Sequence, residues 1–275
     1  MKLALGQLLV EGGEPERNLQ RAQKMIEKAV AQNADIILLP ETLDFAWTHP
    51  SALTESEPIP GIYSEFFCDL AKKHQLMICL GLSEKVEDKN YNSAILIDQN
   101  GEIILKHRKI NLLNVEFPYY EIGQKLEVVD TPFGKIGLNI CADNYGDALH
   151  LGHALARMGA QIILSPSSWT VDYHVTEIDE PYYEKWIKPF KLLASMHDII
   201  IASATSVGYI VGGPYEGKKS IGKSLVINQN GVLSEGAFNE FAGDMKIVEF
   251  EIPPAKVKGT QIGESLKKKG YQFDL

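Results

Sequence analysis

The first forty residues carry the pattern that most restricts the fold. Residues 2–10 form a short apolar run. Behind Pro15, Leu19, Ala22, Met25, Ile26 and Ala29 recur at helical spacing, and residues 35–39 form a second apolar run that ends at Pro40-Glu41. Two short apolar runs flanking one amphipathic segment read as a β-α-β unit, which points to a parallel or mixed sheet covered by helices. The alternation continues with a helical stretch at 63–74 and a strand at 76–82. A hairpin then pairs 92–97 with 102–108 around Asp98-Gln99-Asn100-Gly101. A second hairpin joins 128–130 to 135–140. Then come a helix from about 147 to 158, a strand at 161–164, a long polar, aromatic-rich loop at 167–180, a helix over roughly 181–197 and a strand at 199–204. A last hairpin and a strand near 246–251 close the core. The segment LVINQNG (225–231) echoes ILIDQNG (95–101), a hint of two similar halves, although shared turn chemistry produces the same likeness.

Bulk properties narrow the function classes. The chain has 275 residues, 45% of them hydrophobic, enough for one domain with a sizeable core, and no Gly/Ser-rich linker divides it. The expected organisation is a domain over 1–252 and a C-terminal extension over 253–275, with Lys267, Lys268 and Lys269 in the tail. A net charge of −9 disfavours a general nucleic-acid or anionic-membrane surface. No apolar run approaches a membrane span, and the N-terminal run is followed directly by Glu11 and Glu14, so it reads as a strand and not as a leader. Cys68, Cys79 and Cys141 are odd in number and none stands in a CxxC pair. That argues against a disulfide framework or a structural zinc site and suits a reducing, cytoplasmic compartment.

Polar residues collect at one kind of address, the carboxyl end of an apolar strand. Glu41 follows IILLP, Lys109 follows IILKHR, Cys141 follows IGLNI, and Ser165 to Ser167 follow IIL. Ligand sites of open α/β sheets form beyond such strand ends. A partly desolvated glutamate has a raised pKa and suits a general base. A nearby lysine favours the thiolate and can hold an oxyanion, and a cysteine on a tight turn after a strand is a rigidly held nucleophile. Each residue alone has a plainer reading: Cys141 as a small core side chain, Glu41 as a loop acid, Lys109 as part of a solvated charge run.

Together, ILLPET around Glu41, HRKINL around Lys109 and IGLNICAD around Cys141 resemble the three signature blocks of the nitrilase superfamily of carbon-nitrogen hydrolases, in the same order and spacing. The likeness runs from the first strand, with Gln7, to the GKSLVINQNG hairpin at 222–231. The resemblance implies a four-layer α-β-β-α sandwich of two stacked mixed sheets. It implies Glu41 as general base, Lys109 and the backbone N–H of Ala142 as oxyanion donors, and Cys141 as a nucleophile that passes through a thioester. Glu116, seven residues ahead of Gly123, takes the place of the family's second glutamate, and Glu121 reads as a rim acid. No metal or organic cofactor is implied. The implied substrate is a small amide, such as an ω-amide, with a nitrilase or an N-carbamoyl amine hydrolase as alternatives. A non-catalytic scaffold of the same fold is the rival class. Implied assembly is a homodimer, with the 253–275 tail crossing to its partner. Expected pocket residues are Phe45, Trp47, Phe117, Asn144, Tyr145, Ser167, Trp169 and Tyr173, with packing an equal reading for Trp47 and Trp169; His150 and His174 read as surface or packing residues. Where many members carry an aromatic, an acid and an arginine after the cysteine, this chain has Ala142, Asp143 and Asn144. Ile122-Gly123 replaces Pro-Gly, and Thr205-Ser206-Val207-Gly208 replaces Asn-x-x-Gly. These departures suggest that substrate choice lies around 143–144.

Overall fold

The computed structural model describes residues 1–255 and 267–268. Chain order is β1 (Lys2–Leu9), α1 (Pro15–Ala31), β2 (Ile36–Leu38), α2 (Ala52–Glu55), α3 (Ile62–His74), β3 (Met77–Val86), β4 (Lys89–Ile97), β5 (Ile103–Arg108), β6 (Val128–Thr131) and β7 (Gly134–Leu138). It continues with α4 (Leu149–Arg157), β8 (Ile162–Ser167), β9 (Thr170–Val171), α5 (Lys188–His197), β10 (Ile200–Tyr209), β11 (Lys219–Ile221), β12 (Leu225–Asn228), β13 (Gly231–Glu235) and β14 (Asp244–Glu249). All described strands join one mixed, hydrogen-bonded sheet whose main path runs β5-β4-β3-β2-β1-β10-β8-β7-β6.

The halves of that path repeat each other. β1, β2 and β3 run parallel, then β4 and β5 run antiparallel, and β14 lies antiparallel beside β1. In the other half β7, β8 and β10 run parallel, β12 and β13 antiparallel, and β6 lies antiparallel beside β7. The two look-alike segments, 95–101 and 225–231, therefore occupy equivalent hairpins, β4-β5 and β12-β13. Only the last residues of β1 pair with β10, Leu8 with Ser206 and Leu9 with Val207.

Side-chain alternation along the strands sorts the core into layers. Leu3 and Leu5 of β1, Ile36 and Leu38 of β2, and Met77 and Cys79 of β3 join a cluster that also holds Ile136 and Leu138 of β7, Leu164 of β8 and Ile227 of β12. The alternate residues Ala4, Ile37, Leu39, Ile78 and Leu80 face α1 and α3 through Met25, Ile26, Phe67 and Leu70. Burying the apolar face of α1 this way stabilises by roughly 1.5–3 kcal/mol per large side chain.

Several boundaries differ from the sequence expectation. β8 runs on through Pro166 to Ser167 because β7 has stopped at Leu138, and proline is tolerated where a strand has become an edge. β10 extends to Tyr209, since Ser203, Thr205 and Ser206 are buried by neighbouring strands despite their polarity. The expected helix from 147 starts at Leu149, after two short 3₁₀ turns at Cys141–Asn144 and Gly146–Ala148. The expected helix over 181–197 is a π-turn at Tyr183–Ile187 followed by α5. The proposed tail crossing falls on 253–275, of which 256–266 and 269–275 lie outside the described residues. Among the described residues, no helix is long and apolar enough to cross a membrane.

Candidate active site

Each key side chain is delivered by a strand end, as the sequence suggested. Glu41 stands three residues past β2, and its backbone lies so close to β3 that a Cβ on Gly81 would come within 2.5 Å of the Glu41 Cα; glycine is what allows that approach. Lys109 follows β5 directly, with its N–H donated to the Asn92 carbonyl at 2.8 Å. Gly123 donates its N–H to the Lys109 carbonyl at 2.8 Å, and a Cβ there would fall 2.0 Å from the Arg108 carbonyl oxygen. Cys141 follows β7 and has φ of 42°, a left-handed conformation costly for any residue with a Cβ. The turn is held by Asp143, whose N–H reaches the Ile140 carbonyl at 2.8 Å.

These residues meet in one buried cluster. Lys109 Nζ donates to Glu116 Oε1 at 2.8 Å and to Glu41 Oε2 at 3.4 Å. Asn92 Nδ2 donates to Glu41 Oε2 at 2.7 Å and reaches Glu116 Oε1 at 3.5 Å. Trp47 Nε1 donates to Glu116 Oε1 at 2.8 Å, and the Leu113 N–H donates to Glu116 Oε2, also at 2.8 Å. The Cys141 thiol lies beside Glu41, and its Sγ lies 4.0 Å from the Ser168 carbonyl oxygen. Glu41, Lys109, Glu116 and Cys141 are all buried, and two carboxylates share one ammonium.

Burial sets the electrostatics. It raises the Glu41 carboxyl above its ordinary value. The Lys109 charge, the Asn92 hydrogen bond and the neighbouring Cys141 thiol pull it back, while Glu116 pushes it further up. Burial works against the Lys109 ammonium, but Glu116, Glu41 and Cys141 together overcome this and hold its pKa well above normal. Burial and the Glu41 charge raise the Cys141 thiol, only partly offset by Lys109. A thiol raised in this way gains nucleophilicity by passing its proton to a base, and Glu41 is the carboxylate beside it.

The expected pocket residues distribute unevenly. Trp47 belongs to the cluster and also stacks edge-on against Tyr215 at 5.1 Å. Tyr145 is partly buried; desolvation and the Cys141 and Glu41 charges raise its phenol, with Lys109 opposing. Trp169 is buried and stacked on Trp186 at 4.5 Å, in the same apolar cluster as Cys141. Phe45 is fully buried against Tyr63 at 5.6 Å, with Ala52, Leu112 and Tyr120. Ser167 is buried and accepts from the Ser203 hydroxyl at 2.7 Å. Asn144 is committed to Asn139, Ser165 and the Cys141 carbonyl. Phe117 and Tyr173 are exposed. Glu121, read as a rim acid, is exposed and lies 3.9 Å from Lys89. A narrow cavity of about 20 Å³ reaches Glu41 between Gly12, Trp47, His49, Ser168, Ser206 and Tyr209. His49 falls in the loop 42–60 expected to line the pocket, whereas the end of β10 in that lining was not foreseen. Asn92, whose partner Glu41 lies 51 residues away in sequence, was not foreseen either. Among the described residues, no group of three or more His, Cys, Asp or Glu side chains is placed to hold a metal ion.

Comparison with known proteins identifies the family and the fold. The family model described as "Carbon-nitrogen hydrolase" matches residues 2–260. The chain is 34% identical over 188 residues to the deaminated glutathione amidase of Dictyostelium discoideum, covering 61% of this chain and 64% of that relative, slightly under two thirds of its length. It is 29% identical over 255 residues to the ω-amidase NIT3 of Saccharomyces cerevisiae, covering 80% and 85% of the two chains. Among solved structures, an amidase from Nesterenkonia sp. AN1 with acrylamide added to its active-site cysteine superposes with a TM-score of 0.78 at 20% identity, over 98% of this chain and 99% of that one. At that identity the match shows a shared mixed α/β fold.

Proposed function

The chain belongs to the carbon-nitrogen hydrolase family, and on that premise we propose that it hydrolyses the C–N bond of a small amide through a thioester on Cys141. The observation that carries this reading is the buried contact of one thiol, one ammonium and two carboxylates. As Cys141 Sγ attacks the amide carbon, the thiol proton passes to Glu41 and the C=O electron pair moves onto oxygen. The resulting oxyanion is held by the Lys109 ammonium and the Ala142 N–H. Collapse re-forms the carbonyl and breaks the C–N bond, with the proton on Glu41 going to the leaving nitrogen. Water, deprotonated by the same carboxylate, then attacks the thioester and releases the acid and the thiol. Glu116 holds Lys109 in place throughout, and Trp47 and Asn92 hold Glu116. Each positioned base or oxyanion donor contributes on the order of 2–5 kcal/mol of barrier.

Trp47 and Tyr145, with Trp169 behind them, enclose the acyl group, and Phe117 and Tyr173 stand at the rim. A four-layer α-β-β-α arrangement of residues 1–252 belongs to the same reading. Its support is the single core cluster shared by the two half-sheets and the second cluster under α1 and α3. A homo-oligomer in a reducing compartment completes it, the latter supported by three free cysteines. The test is ammonia release from parallel sets of aliphatic amides, ω-amides, ureido compounds and nitriles. Turnover of amides, abolished by Cys141→Ala, is expected. Ammonia from nitriles alone, or carbon dioxide from ureido compounds alone, overturns the amide assignment.

A further inference from the structure

We propose that Asp143 is a positioning residue that clamps the segment carrying Lys109 to the turn carrying Cys141 and thereby sets the ammonium against the thiol. The inference rests on the amide-hydrolase reading but concerns residues that the reading does not use. Asp143 is fully buried, yet both its oxygens are engaged on two different chain segments. Oδ1 accepts from the Ile110 N–H at 3.1 Å and the Asn111 N–H at 2.7 Å. Oδ2 pairs with His107 Nε2 at 2.8 Å and accepts from the Ile140 N–H at 2.9 Å. A reciprocal bond runs back from Asn111 Nδ2 to the Ala142 carbonyl at 2.7 Å.

The bonded positions bracket the chemistry on both sides. His107, Ile110 and Asn111 surround Lys109; Ile140, Ala142 and Asp143 surround Cys141. The two segments are about thirty residues apart in sequence, and all the bonded positions but His107 lie beyond the ends of β5 at Arg108 and β7 at Leu138. Without the carboxylate, four donors lose their acceptor, and of the hydrogen bonds described between these two segments only that from Asn111 Nδ2 to the Ala142 carbonyl remains. Burial alone would raise the Asp143 carboxyl, but the His107 contact and the backbone donors hold it below its ordinary value, so it remains a charged acceptor. Asp143 therefore serves the site from behind, which revises the expectation that position 143 selects substrate.

The test measures two quantities on full-length protein: turnover of an amide, and the pH dependence of Cys141 alkylation by iodoacetamide. The second needs no substrate, so it stays readable if the amide assignment itself fails. Asp143→Asn keeps the volume but turns an amide donor toward two N–H groups. It is expected to lower kcat by about tenfold or more with little change in KM, since misplacing a reacting group by about 1 Å costs up to about 10²-fold. The alkylation profile should also move to higher pH, because Lys109 no longer favours the thiolate. Asn111→Ala, which removes only the bond to the Ala142 carbonyl, should move both readouts the same way by less, and it decides the matter if Asp143→Asn does not fold. In a Lys109→Met background either change should add no more than about twofold, because the clamp acts through the lysine. Unchanged kcat and alkylation profile in the variants, or losses that multiply in the Lys109→Met background, overturn the proposal.

Discussion

Replacing Lys109 with methionine removes the ammonium while keeping most of the side chain's volume. In the native site that ammonium stands 2.8 Å from Glu116 and 3.4 Å from Glu41, with all three side chains buried. Its loss leaves two buried carboxylates facing each other across Asn92. Breaking a buried ion pair from one side costs about 3–5 kcal/mol. For a chain of this size each kcal/mol is worth roughly 2–4 °C, so a fall in Tm on the order of 10 °C is expected. The loss should depend on pH in a defined direction. The Glu41 carboxyl is already raised by burial, and without Lys109 it rises further. A carboxyl whose folded pKa exceeds its unfolded pKa destabilises the fold progressively as pH climbs between the two values. Across a series from about pH 5 to about pH 8, the variant should therefore lie nearest the wild type at the acid end and furthest from it at the alkaline end. Activity should fall by at least about 10²-fold, the cost of one oxyanion donor. Thermal unfolding of both proteins across this range, with amide turnover at each pH, is the assay. A Tm deficit equal at both ends, or activity within about tenfold of wild type, would refute the electrostatic account.

Two further outcomes follow from the same geometry. Trp47→Phe deletes a 2.8 Å donor to Glu116 while keeping an aromatic ring; a bond to a charged acceptor is worth about 1.5–3 kcal/mol, so turnover and Tm should both drop, and an unchanged pair of values would show that Trp47 only packs. The kcat/KM profile should rise on its acid side through a pKa above the ordinary glutamate value, because the base works ionised and burial raises it. The apparent value belongs to Glu41 and Cys141 together, and an acid limb at or below the ordinary value contradicts the assignment.

The legible parts of this protein were those written in short-range patterns. The opening β-α-β unit and the β4-β5 hairpin could be read from spacing and turn residues. The three block residues announced themselves as polar groups closing apolar runs. The echo between 95–101 and 225–231 was ambiguous as sequence and became informative only when strand order put both in equivalent hairpins. Asn92, Asp143 and Asn111 carried no comparable mark, because their partners are chosen by the approach of distant segments: Asn92 reaches back 51 residues to Glu41, and Asp143 reaches 32 residues to Asn111. Buried serines and threonines in β10 hid the true length of that strand for the same reason, since their polarity is satisfied by tertiary neighbours. Trp169 shows the limit from the other side: its residue type suited a pocket wall, but its face is taken by Trp186.

The central claim is that Cys141 carries the acyl group during turnover. Its most direct test is to quench the enzyme in acid during steady-state hydrolysis of a short aliphatic amide, then measure the intact mass and map the adduct by peptide mass spectrometry. The account predicts a mass increase equal to the acyl group, located on the peptide that contains Cys141, absent from Cys68 and Cys79 and lost in Cys141→Ala together with hydrolysis. Continued hydrolysis by Cys141→Ala, with no acyl adduct on the wild-type cysteine, would contradict it.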